Sequence, residues 1–587
     1  MNRASSGAAI AGLGMTSLGR VYGTTPRRLA ASAVRLAAAD AGMALADLDG
    51  LLICPGISGG LDLGLAAQLG LRDLSLLAVI SSFGASAVMA VQTAALAVTS
   101  GAARAVACVF ADTPLQEGAR AGSAFGGWGE RDGQDGQDRP SGRPERHGLA
   151  GLAAGYGFRS VTVYYALAAR RHMQRYGTTS EQLGAIAVAQ RGWAAGNPLA
   201  QYRDPITLAD HQRSRWVAEP LHLLDCSLVS NGAIAVIVTA ARAAAAGPRP
   251  PVHVWGWGQG HPGQPMASGS DFGLVTGAVQ AGRAAMGMAG VGPADVTMCQ
   301  IYDCYTYTVL VTLEDYGFCA KGDGGPFVAS GALAPGGTLP VNTGGGQLSA
   351  YYMWGFTPLS EAVIQARGDG GDRQSSATDV ILVSGNGGIL SHHGTLIVSP
   401  HDRRAGGPRR GRAAASRGWA AAENAAGRSR ADGDRAGGDS AGGGGGHPAG
   451  GPDSVGTVRA DERSAPFFAA ASRGELLIRR CDDCGGWQGS SASQCPSCGG
   501  VLSWAAASGR GTLISWSVVH PRDSGPTAVP ALVELAEGPW LSAGLWLAGP
   551  AGLAGLRAGM AVAAEFPSPA DGESYPLFRP LGSPRPG

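Results

Sequence analysis

Four cysteines towards the carboxyl end of the chain have the spacing of a metal site. They are Cys481, Cys484, Cys495 and Cys498, in the pattern Cys-x2-Cys-x10-Cys-x2-Cys, and two glycines that can form a tight turn follow each pair. Four thiolates suit tetrahedral zinc and leave no open coordination position. The pattern therefore predicts a structural zinc ion, with a rubredoxin-like iron site or a redox-active disulfide pair as the alternatives.

A second group of residues combines tyrosine hydroxyls with glycine-rich turns. Tyrosine can exchange protons with a substrate, and backbone N–H groups in a glycine turn can stabilise negative charge that develops during a reaction. The group comprises four segments: Ser-Phe-Gly-Ala-Ser at 82–86, Ile-Tyr-Asp-Cys-Tyr at 301–305, Asn-Thr-Gly-Gly-Gly-Gln-Leu-Ser-Ala-Tyr-Tyr at 342–352 and Ser-Gly-Asn-Gly-Gly at 384–388.

These segments resemble the active-site segments of the thiolase superfamily. Aligning the glycines places Tyr352 on the thiolase histidine and Tyr302 on the thiolase asparagine. Ser384 stands at the acid/base cysteine and Gly84 at the nucleophilic cysteine. No thiol remains at either position. The resemblance therefore implies a thiolase fold, an α/β fold of duplicated βαβαβ halves in five layers, without thiolase chemistry.

Two tyrosines in place of that machinery resemble the lipid-transfer-protein branch of the superfamily, whose characterised members include steroid side-chain aldolases. The segments 176–183 and 220–226 resemble the same group. The resemblance implies retro-aldol cleavage of a β-hydroxyacyl-CoA with a steroid or similar side chain, to a ketone and a shortened acyl-CoA. It implies Tyr302 and Tyr352 as catalytic residues. Tyr351 is the rival of Tyr352, because a shift of one residue exchanges their faces.

Two other routes to carbon–carbon cleavage find little support in the sequence. A Schiff base needs a lysine amine, and Lys321 is the only lysine in the chain. A metal-bound enolate needs an ion with an open coordination position. His392 and His393 form the only adjacent histidine pair, and adjacent side chains in a strand point to opposite faces. Acid–base catalysis by tyrosines remains, and His393 is either a further site residue or a packed core histidine.

The glycine turns are the predicted binding groups for the thioester. A backbone N–H that is well placed against a developing oxyanion contributes about 3 to 4 kcal/mol in comparable acyl chemistry. We expect the thioester to be bound by the following residues: Gly345, Gly346, Asn386, Gly387 and Gly388.

Two other functions stay open at this stage. An acyltransferase of the acetyl-CoA acyltransferase or thiolase type would use a different thiol, Cys304 or Cys319, although no histidine occupies the position that would generate the Cys304 thiolate. A non-catalytic scaffold that binds an acyl-CoA for a partner enzyme is the second alternative. In a scaffold, both tyrosines would tolerate replacement by phenylalanine.

Composition favours a multidomain protein that acts on small molecules or binds protein partners. The chain has 587 residues, a net charge of +1 and 15% charged residues, so it lacks the bulk charge that would recruit nucleic acid or an anionic membrane. Ten cysteines and no export signal favour a cytoplasmic location. Residues 74–103 carry no charge, but six polar side chains interrupt them, so a buried strand and helix are expected there rather than a membrane span.

A helix-then-strand unit occurs twice, at residues 33–53 and again at 278–300. This repeat agrees with the two halves of a thiolase fold. A mobile insertion is expected at residues 127–145, which have no apolar period. The predicted domains are two thiolase-like halves at 1–248 and 249–401, a flexible linker at 402–459, a helix and zinc ribbon at 460–508 and an OB-fold domain at 509–587.

Beyond the cysteines, four short apolar segments at 511–519, 531–535, 541–547 and 560–566 predict the strands of a small barrel. Together with the cysteines they resemble the DUF35-type zinc-ribbon and OB-fold module that accompanies thiolase-like enzymes. Five arginines against six acidic residues from Val501 onward disfavour nucleic-acid binding by this barrel. We expect a homodimer, with the module docked on the core or on a hydratase that delivers the substrate.

Overall fold

The structure, a computed structural model, describes residues 7–119, 121, 146–263, 266, 269–402, 452–522, 527–547 and 549–582. Within these residues the chain forms a mixed α/β core and a smaller C-terminal module. This architecture confirms the predicted fold class. The insertion predicted at 127–145 and most of the linker predicted at 402–459 lie outside the described residues.

The first half of the core begins with an N-terminal strand and continues with helices, several of which start at a capping residue. Thr179, for example, accepts a hydrogen bond from the backbone N–H of Gln182, whose side chain bonds back to the N–H of Thr179. The elements of this half are β1 (Ala8–Met15), α1 (Pro26–Asp40), β2 (Gly50–Pro55), α2 (Leu65–Leu69), β3 (Leu76–Val79), α3 (Ser86–Ser100), β4 (Ala105–Asp112), β5 (Arg146–His147), α4 (Gly148–Gly155), α5 (Val161–Tyr176), α6 (Ser180–Ala195), α7 (Leu208–Arg213), β6 (Trp216–Ala218), β7 (Leu221–His222), β8 (Gly232–Ala240) and α8 (Ala241–Ala244).

The second half repeats the order of the first. The helix α1, a 3₁₀ turn at Leu45–Asp47 and β2 recur as α9, a 3₁₀ turn at Pro293–Asp295 and β10, which accounts for the repeat in the sequence. The elements are β9 (Val252–Gly260), α9 (Ala278–Ala289), β10 (Met298–Gln300), α10 (Thr306–Asp315), α11 (Gly324–Ala329), a π-helical turn (Gly346–Ala350), α12 (Phe356–Arg367), β11 (Ile381–Gly387) and β12 (His392–Ser399).

The two halves share one nine-stranded sheet in the order β10-β11-β12-β9-β1-β8-β4-β2-β3. Each half has the same pairing: its first strand lies antiparallel to its last, and the next two strands outward in the sheet, β4 and β2 or β11 and β10, lie parallel to each other. Strands β1 and β9 join the halves through the pairs Ala9–His253 and Ile10–Val252. Helices α3 and α12 contact strands of both halves, so they form the helical layer between them.

Glycines in β1 and β9 allow the outer helices to pack closely on the sheet. A Cβ at Gly14 would lie 2.1 Å from the carbonyl oxygen of Ala33 in α1, and a Cβ at Gly258 would lie 2.2 Å from that of Ala281 in α9. Strand glycines therefore allow close helix packing in both halves.

One helical segment of the described residues, Phe83–Ser100, is long and apolar enough to cross a membrane by length and composition. Its mean hydropathy is 1.4, and 67% of it is buried inside the protein. It forms the helical layer between the two halves, as expected for the core helix of a globular domain.

The C-terminal module starts inside the predicted linker, because Pro452–Val455 is helical and Val458–Arg459 pairs with β5. A three-stranded sheet, β15-β14-β16, carries the cysteines, and a five-stranded sheet, β19-β18-β17-β20-β21, forms the barrel. The elements are α13 (Pro452–Val455), β13 (Val458–Arg459), α14 (Ala465–Ala471), β14 (Leu476–Cys481), β15 (Trp487–Gln488), β16 (Leu502–Ala507), β17 (Arg510–Trp516), β18 (Pro530–Leu535), β19 (Trp540–Gly544), α15 (Gly549–Ala554), β20 (Ala561–Glu565) and β21 (Leu577–Pro580).

The barrel packs on α5 and on β6 of the first half. The hydroxyl of Ser515 donates to the carbonyl of Leu167 at 2.7 Å in a buried contact, and the guanidinium of Arg171 lies 4.9 Å from the ring centre of Trp540. Ala218, at the end of β6, forms an antiparallel bridge with Val519. The module is therefore docked on the core in this structure.

Candidate active site

A cavity of about 260 Å³ lies where the second half meets α5 and β6 of the first half. Aromatic and aliphatic side chains form most of its wall, and hydroxyl, thiol and amide groups interrupt it. The lining residues are Phe83, Ser160, Val161, Thr162, Tyr165, Val217, Cys226, Ser227, Leu228, Val229, Tyr302, Cys304, Tyr305, Tyr352, Trp354, Asn386, Gly387, Gly388 and Ile389.

The cavity contains both tyrosines that the alignment with thiolase segments indicates as catalytic residues. The hydroxyls of Tyr302 and Tyr352 are 3.2 Å apart and share a hydrogen bond. Burial is the main cause that raises the pKa of each phenol well above its usual range, and the nearby partner raises the pKa of Tyr302 further. In the free site both phenols are therefore protonated at neutral pH, which suits them to donate a proton or to pass one along the pair.

The chain positions Tyr302 between β10 and α10, with its ring against Gly84. A Cβ at Gly84 would lie 2.2 Å from Cε2 of Tyr302 and 2.1 Å from the carbonyl oxygen of Asn386. No side chain fits at position 84 while Tyr302 keeps this position. The turn that holds the nucleophile in thiolases therefore cannot present one here.

Tyr351 points away from the cavity, on the opposite side of the chain from Tyr352. Its hydroxyl shares a hydrogen bond of 3.1 Å with Ser360 in α12, and its side chain is fully buried. Tyr352 is only partly buried, and its backbone N–H donates to the hydroxyl of Ser230. Of the two candidates, the structure brings Tyr352 to Tyr302.

The five predicted binding residues divide into two groups. Asn386, Gly387 and Gly388 line the cavity, and neither amide atom of the buried Asn386 side chain has a hydrogen-bond partner among the described residues. Gly345 and Gly346 do not line it. They form a left-handed turn, in which Gly345 packs on Ala194, behind the loop that carries Tyr352.

His393 lies in the core beside the cavity and is not part of its lining. Its Nε2 is 2.9 Å from the hydroxyl of Tyr316 and 3.0 Å from that of Ser384. Burial lowers the pKa of this imidazole to about 3. His393 is therefore neutral at physiological pH, and the structure does not bring it to the tyrosine pair.

The competing nucleophiles are poorly placed or poorly ionised. Cys304 lines the cavity, but burial raises the pKa of its thiol to about 12, and burial raises that of Cys319 to about 12 as well. Lys321 lies outside the cavity lining and forms ion pairs with Glu314 and Asp315.

Several cavity residues could not be predicted from the sequence, because they come from segments that are distant along the chain. Thr162, near the start of α5, is 2.9 Å from the hydroxyl of Tyr305, and Tyr165 packs against the ring of Tyr305 at 4.6 Å. Val217 comes from β6. No local motif marks these residues, since each is an ordinary residue of its own helix or strand.

The four cysteines of the C-terminal module converge in one place. All four Sγ atoms lie within 4.8 Å of one another, with 3.5 Å between Cys481 and Cys498 and 3.7 Å between Cys484 and Cys495. Gly485 and Gly499 follow in left-handed turns that fold each knuckle around the centre. Four converging sulfurs fit a tetrahedral metal ion.

Comparison with known families agrees with both parts of the chain. A family described as "Thiolase C-terminal domain-like" matches residues 258–400. A second family, described as "ChsH2, C-terminal OB-fold domain", matches residues 504–567.

Two curated relatives are 37% identical to the chain. One is the "Steroid side-chain-cleaving aldolase" of Thermomonospora curvata, over 385 residues that make up 65% of this chain and 95% of the relative. The other is the "17-hydroxy-3-oxo-4-pregnene-20-carboxyl-CoA lyase" of Mycobacterium tuberculosis, over 391 residues, 65% of this chain and 96% of the relative.

Two solved structures are similar to the fold. The "Ltp2-ChsH2(DUF35) aldolase" matches with a TM-score of 0.56 and 34% identity, over 67% of this chain and 98% of that chain. A monomeric SCP2-thiolase like protein from Mycobacterium smegmatis matches with a TM-score of 0.61 over 98% of this chain and 99% of that chain, but at 15% identity it supports the fold alone. The chain therefore belongs to the aldolase branch of the thiolase superfamily and carries a ChsH2-type OB-fold domain on the same polypeptide.

Proposed function

We propose that the protein cleaves the carbon–carbon bond between Cα and Cβ of a β-hydroxyacyl-CoA and releases a ketone and a shortened acyl-CoA. One observation carries this proposal, namely that the cavity presents the hydrogen-bonded hydroxyls of Tyr302 and Tyr352 where Gly84 leaves no room for a nucleophile. The names of two relatives, an aldolase and a lyase, support the same reaction.

The reaction balances without a co-substrate. Because both phenols are protonated in the free site, the pair acts as a proton relay: the oxygen of one phenol accepts the proton of the β-hydroxyl group while it passes its own proton to the other phenol. The Cα–Cβ bond breaks, the new carbonyl forms, and the electron pair of that bond moves to the thioester as an enolate. The second phenol donates its original proton to Cα and keeps the one it received across the 3.2 Å contact, so both phenols are protonated again at the end of each turnover.

An enolate needs donors for its oxygen, and the turn between β11 and β12 is the candidate source. Gly387 and Gly388 line the cavity together with Tyr302 and with Asn386, whose side-chain amide has no hydrogen-bond partner among the described residues. A well-placed donor of this kind contributes about 3 to 4 kcal/mol to transition-state stabilisation in comparable acyl chemistry. We assign the thioester oxygen to this turn.

The wall of the cavity favours a bulky apolar substituent on the carbon that becomes the ketone. Phe83 and Trp354 line the cavity with their ring centres 5.9 Å apart, and Ile389, Val217 and Leu228 also line it. A steroid-like ring system is the proposed substituent, in agreement with the substrates named for the two relatives.

The proposal is tested by incubating the purified chain with a β-hydroxyacyl-CoA that bears a tertiary alcohol on a polycyclic side chain. We expect equal amounts of ketone and shortened acyl-CoA, measured by mass spectrometry, with no requirement for free CoA. Strict dependence on CoA, or an acyl group trapped on a cysteine, would show that acyl transfer is the reaction instead. Tight binding of the substrate without turnover would support the scaffold alternative.

Zinc is the metal that we propose for the cysteine cluster, in a structural role. The support is the convergence of four sulfurs, which leaves no place for water or substrate on the ion. Zinc bound here would hold the short strand β15 to β14 and β16.

We also propose a homodimer that forms through the edge strand β3. This strand ends the nine-stranded sheet, and it leaves Leu77 and Val79 exposed at 40% and 45%. An apolar edge with unpaired backbone groups invites pairing with a second copy. A hydratase that supplies the β-hydroxyacyl-CoA is a proposed partner of the OB-fold module, and the cytoplasm is the proposed compartment because the chain has ten cysteines.

A further inference from the structure

The two catalytic tyrosines belong to chain segments that are held together by a buried carboxylate. Asp303 follows Tyr302 directly, and it is completely buried. Its Oδ2 accepts hydrogen bonds from the backbone N–H groups of Gln347 at 2.9 Å and Leu348 at 3.3 Å. Its Oδ1 accepts from the backbone and side-chain nitrogens of Gln347 at 3.0 and 3.1 Å. These donors lie in the π-helical turn that leads to Tyr352.

Other contacts hold Tyr302 and the two segments in place independently of Asp303. The ring of Tyr302 lies against Gly84, where a Cβ would be 2.2 Å from it. Before the tyrosine in its segment, Oδ1 of Asn342 accepts from the backbone N–H of Ile301 at 2.6 Å. Asp303 thus links the two segments again, directly beside Tyr302.

The fit around the carboxylate is too tight for the turn to shift by itself. Gly346 has a left-handed conformation, and a Cβ there would lie 2.1 Å from Oδ2 of Asp303. Any movement of the carboxylate therefore moves the start of the π-helical turn. Tyr352 lies two residues beyond the end of that turn.

We propose that Asp303 is a positioning residue that sets the distance between the hydroxyls of Tyr302 and Tyr352. This inference rests on the proposed function in one respect, since it assigns catalysis to the tyrosine pair. The ionised carboxylate uses both oxygens as acceptors, whereas a protonated or amidated side chain turns one of these positions into a donor that faces N–H groups. The turn would then move away from Asp303, and Tyr352 with it.

Burial raises the pKa of Asp303 to about 6, while hydrogen bonds from Gln347 and Leu348 oppose this shift. The other titratable groups near it are Tyr302 and Cys304 in its own segment, Tyr352, and Tyr351 and Glu361, which line a small void next to α12 together with Asp303. Cys304 and the three tyrosines have raised pKa values and are protonated below pH 8. Loss of the Asp303 charge on acidification would therefore lower activity while these four groups stay unchanged.

Asp303→Asn tests the role directly. We expect kcat to fall by on the order of 10² with KM little changed, as for a displacement of about 1 Å in a catalytic group. The decline of kcat below pH 6 in the wild type should disappear in this variant. Asp40→Asn is the matched control, because Asp40 also accepts a backbone N–H, that of Leu13 at 2.8 Å, but does not line the cavity. It should lower stability and leave kcat and its pH profile unchanged.

Gln347→Met is the second variant, and it tests the positioning role of Asp303 even if Asp303→Asn does not fold. It removes one donor to the carboxylate and keeps the backbone contacts, so the acidic decline of kcat should move to higher pH. A purely structural role for Asp303 predicts no such movement, and an unchanged pH profile in Gln347→Met would overturn the proposal.

A crystal structure of Asp303→Asn separates this inference from the proposed reaction. We expect the two hydroxyls to lie beyond hydrogen-bonding distance, whether or not the wild type cleaves the substrate offered. A Tyr302–Tyr352 contact retained at about 3 Å, within the normal range for a hydrogen bond, would overturn the positioning role even if the aldolase activity is confirmed.

Discussion

The ring of Tyr302 occupies the space that a side chain at Gly84 would need, since a Cβ at that glycine would lie 2.2 Å from the ring. A nucleophilic residue at position 84 and a tyrosine at position 302 therefore exclude each other. In this chain the fold therefore presents a pair of tyrosine hydroxyls at the position where the resemblance to thiolases places a nucleophile.

Gly84→Ala should test this exclusion without adding any reactive group. The new methyl would meet the Tyr302 ring and a backbone carbonyl, so we expect a loss of about 1 to 3 kcal/mol in the free energy of unfolding, as for an overpacked core, and loss of turnover. Gly287→Ala is the control, because a Cβ at this exposed helical glycine meets nothing within 4 Å. It should leave activity unchanged, and thermal unfolding with steady-state kinetics measures both effects.

Replacement of the tyrosines by phenylalanine separates catalysis from binding. Tyr302→Phe and Tyr352→Phe each remove one hydroxyl and keep the ring, so we expect kcat to fall by about 10² to 10⁴ while substrate binding survives. Tyr351→Phe is the matched control, because its hydroxyl bonds to Ser360 outside the cavity. Full turnover in the first two variants would rule out the acid–base mechanism.

Removal of the metal should unfold the zinc ribbon. Cys484→Ser leaves three sulfurs, and we expect it to lose the metal and to lower the unfolding temperature of the C-terminal module. Cys319→Ser, at a half-buried thiol outside the cluster, should keep one zinc per chain. Elemental analysis and thermal unfolding of both variants check the prediction; a metal-free wild type would contradict it.

His393 should make the protein less stable in mild acid. Its pKa is lowered from 6.5 to about 3 by burial, so the unfolded chain binds a proton below about pH 6.5 that the folded chain does not. The free energy of unfolding should therefore fall by about 2 kcal/mol between pH 7 and pH 5 on account of this residue. His393→Gln should abolish that part of the decline in urea unfolding, whereas His401→Gln, at an exposed histidine, should not.

Cleavage between the core and the C-terminal module should leave the two pieces associated. The buried bond from Ser515 to Leu167 and the contact of Arg171 with Trp540 hold the barrel on α5 without help from the connecting chain. With a protease site inserted within residues 403–451, we expect both fragments to elute together in gel filtration. Separation of two folded fragments under native conditions would show that the docking is weak.

Much of the protein follows from local patterns in its sequence. The cysteine cluster could be predicted because two knuckles with fixed spacing define a metal site within 18 residues. The fold class and the family are confirmed. The predicted strand at 531–535 also appears, as β18 at Pro530–Leu535, because turn residues bound it on both sides.

The orientation of individual side chains was harder to predict. Tyr351 and Tyr352 could not be separated by strand alternation, because a π-helical turn at Gly346–Ala350 precedes them and changes the phase of the chain. Gly345 and Gly346 are predicted substrate donors, and the structure places Gly345 against Ala194 and Gly346 against Asp303. For Tyr352 and both glycines, the contacting residue lies more than 40 positions away in the sequence.

The sequence alone established which chemical groups this protein has: two tyrosines, no thiol at either thiolase position and four cysteines with the spacing of a metal site. Tertiary packing established how those groups are used. The Tyr302 ring fills the space that a side chain at Gly84 would need. Val217 and Thr162 line the cavity, whereas His393 is buried in the core. Local spacing cannot encode such relations, because they depend on how distant helices and strands pack against one another.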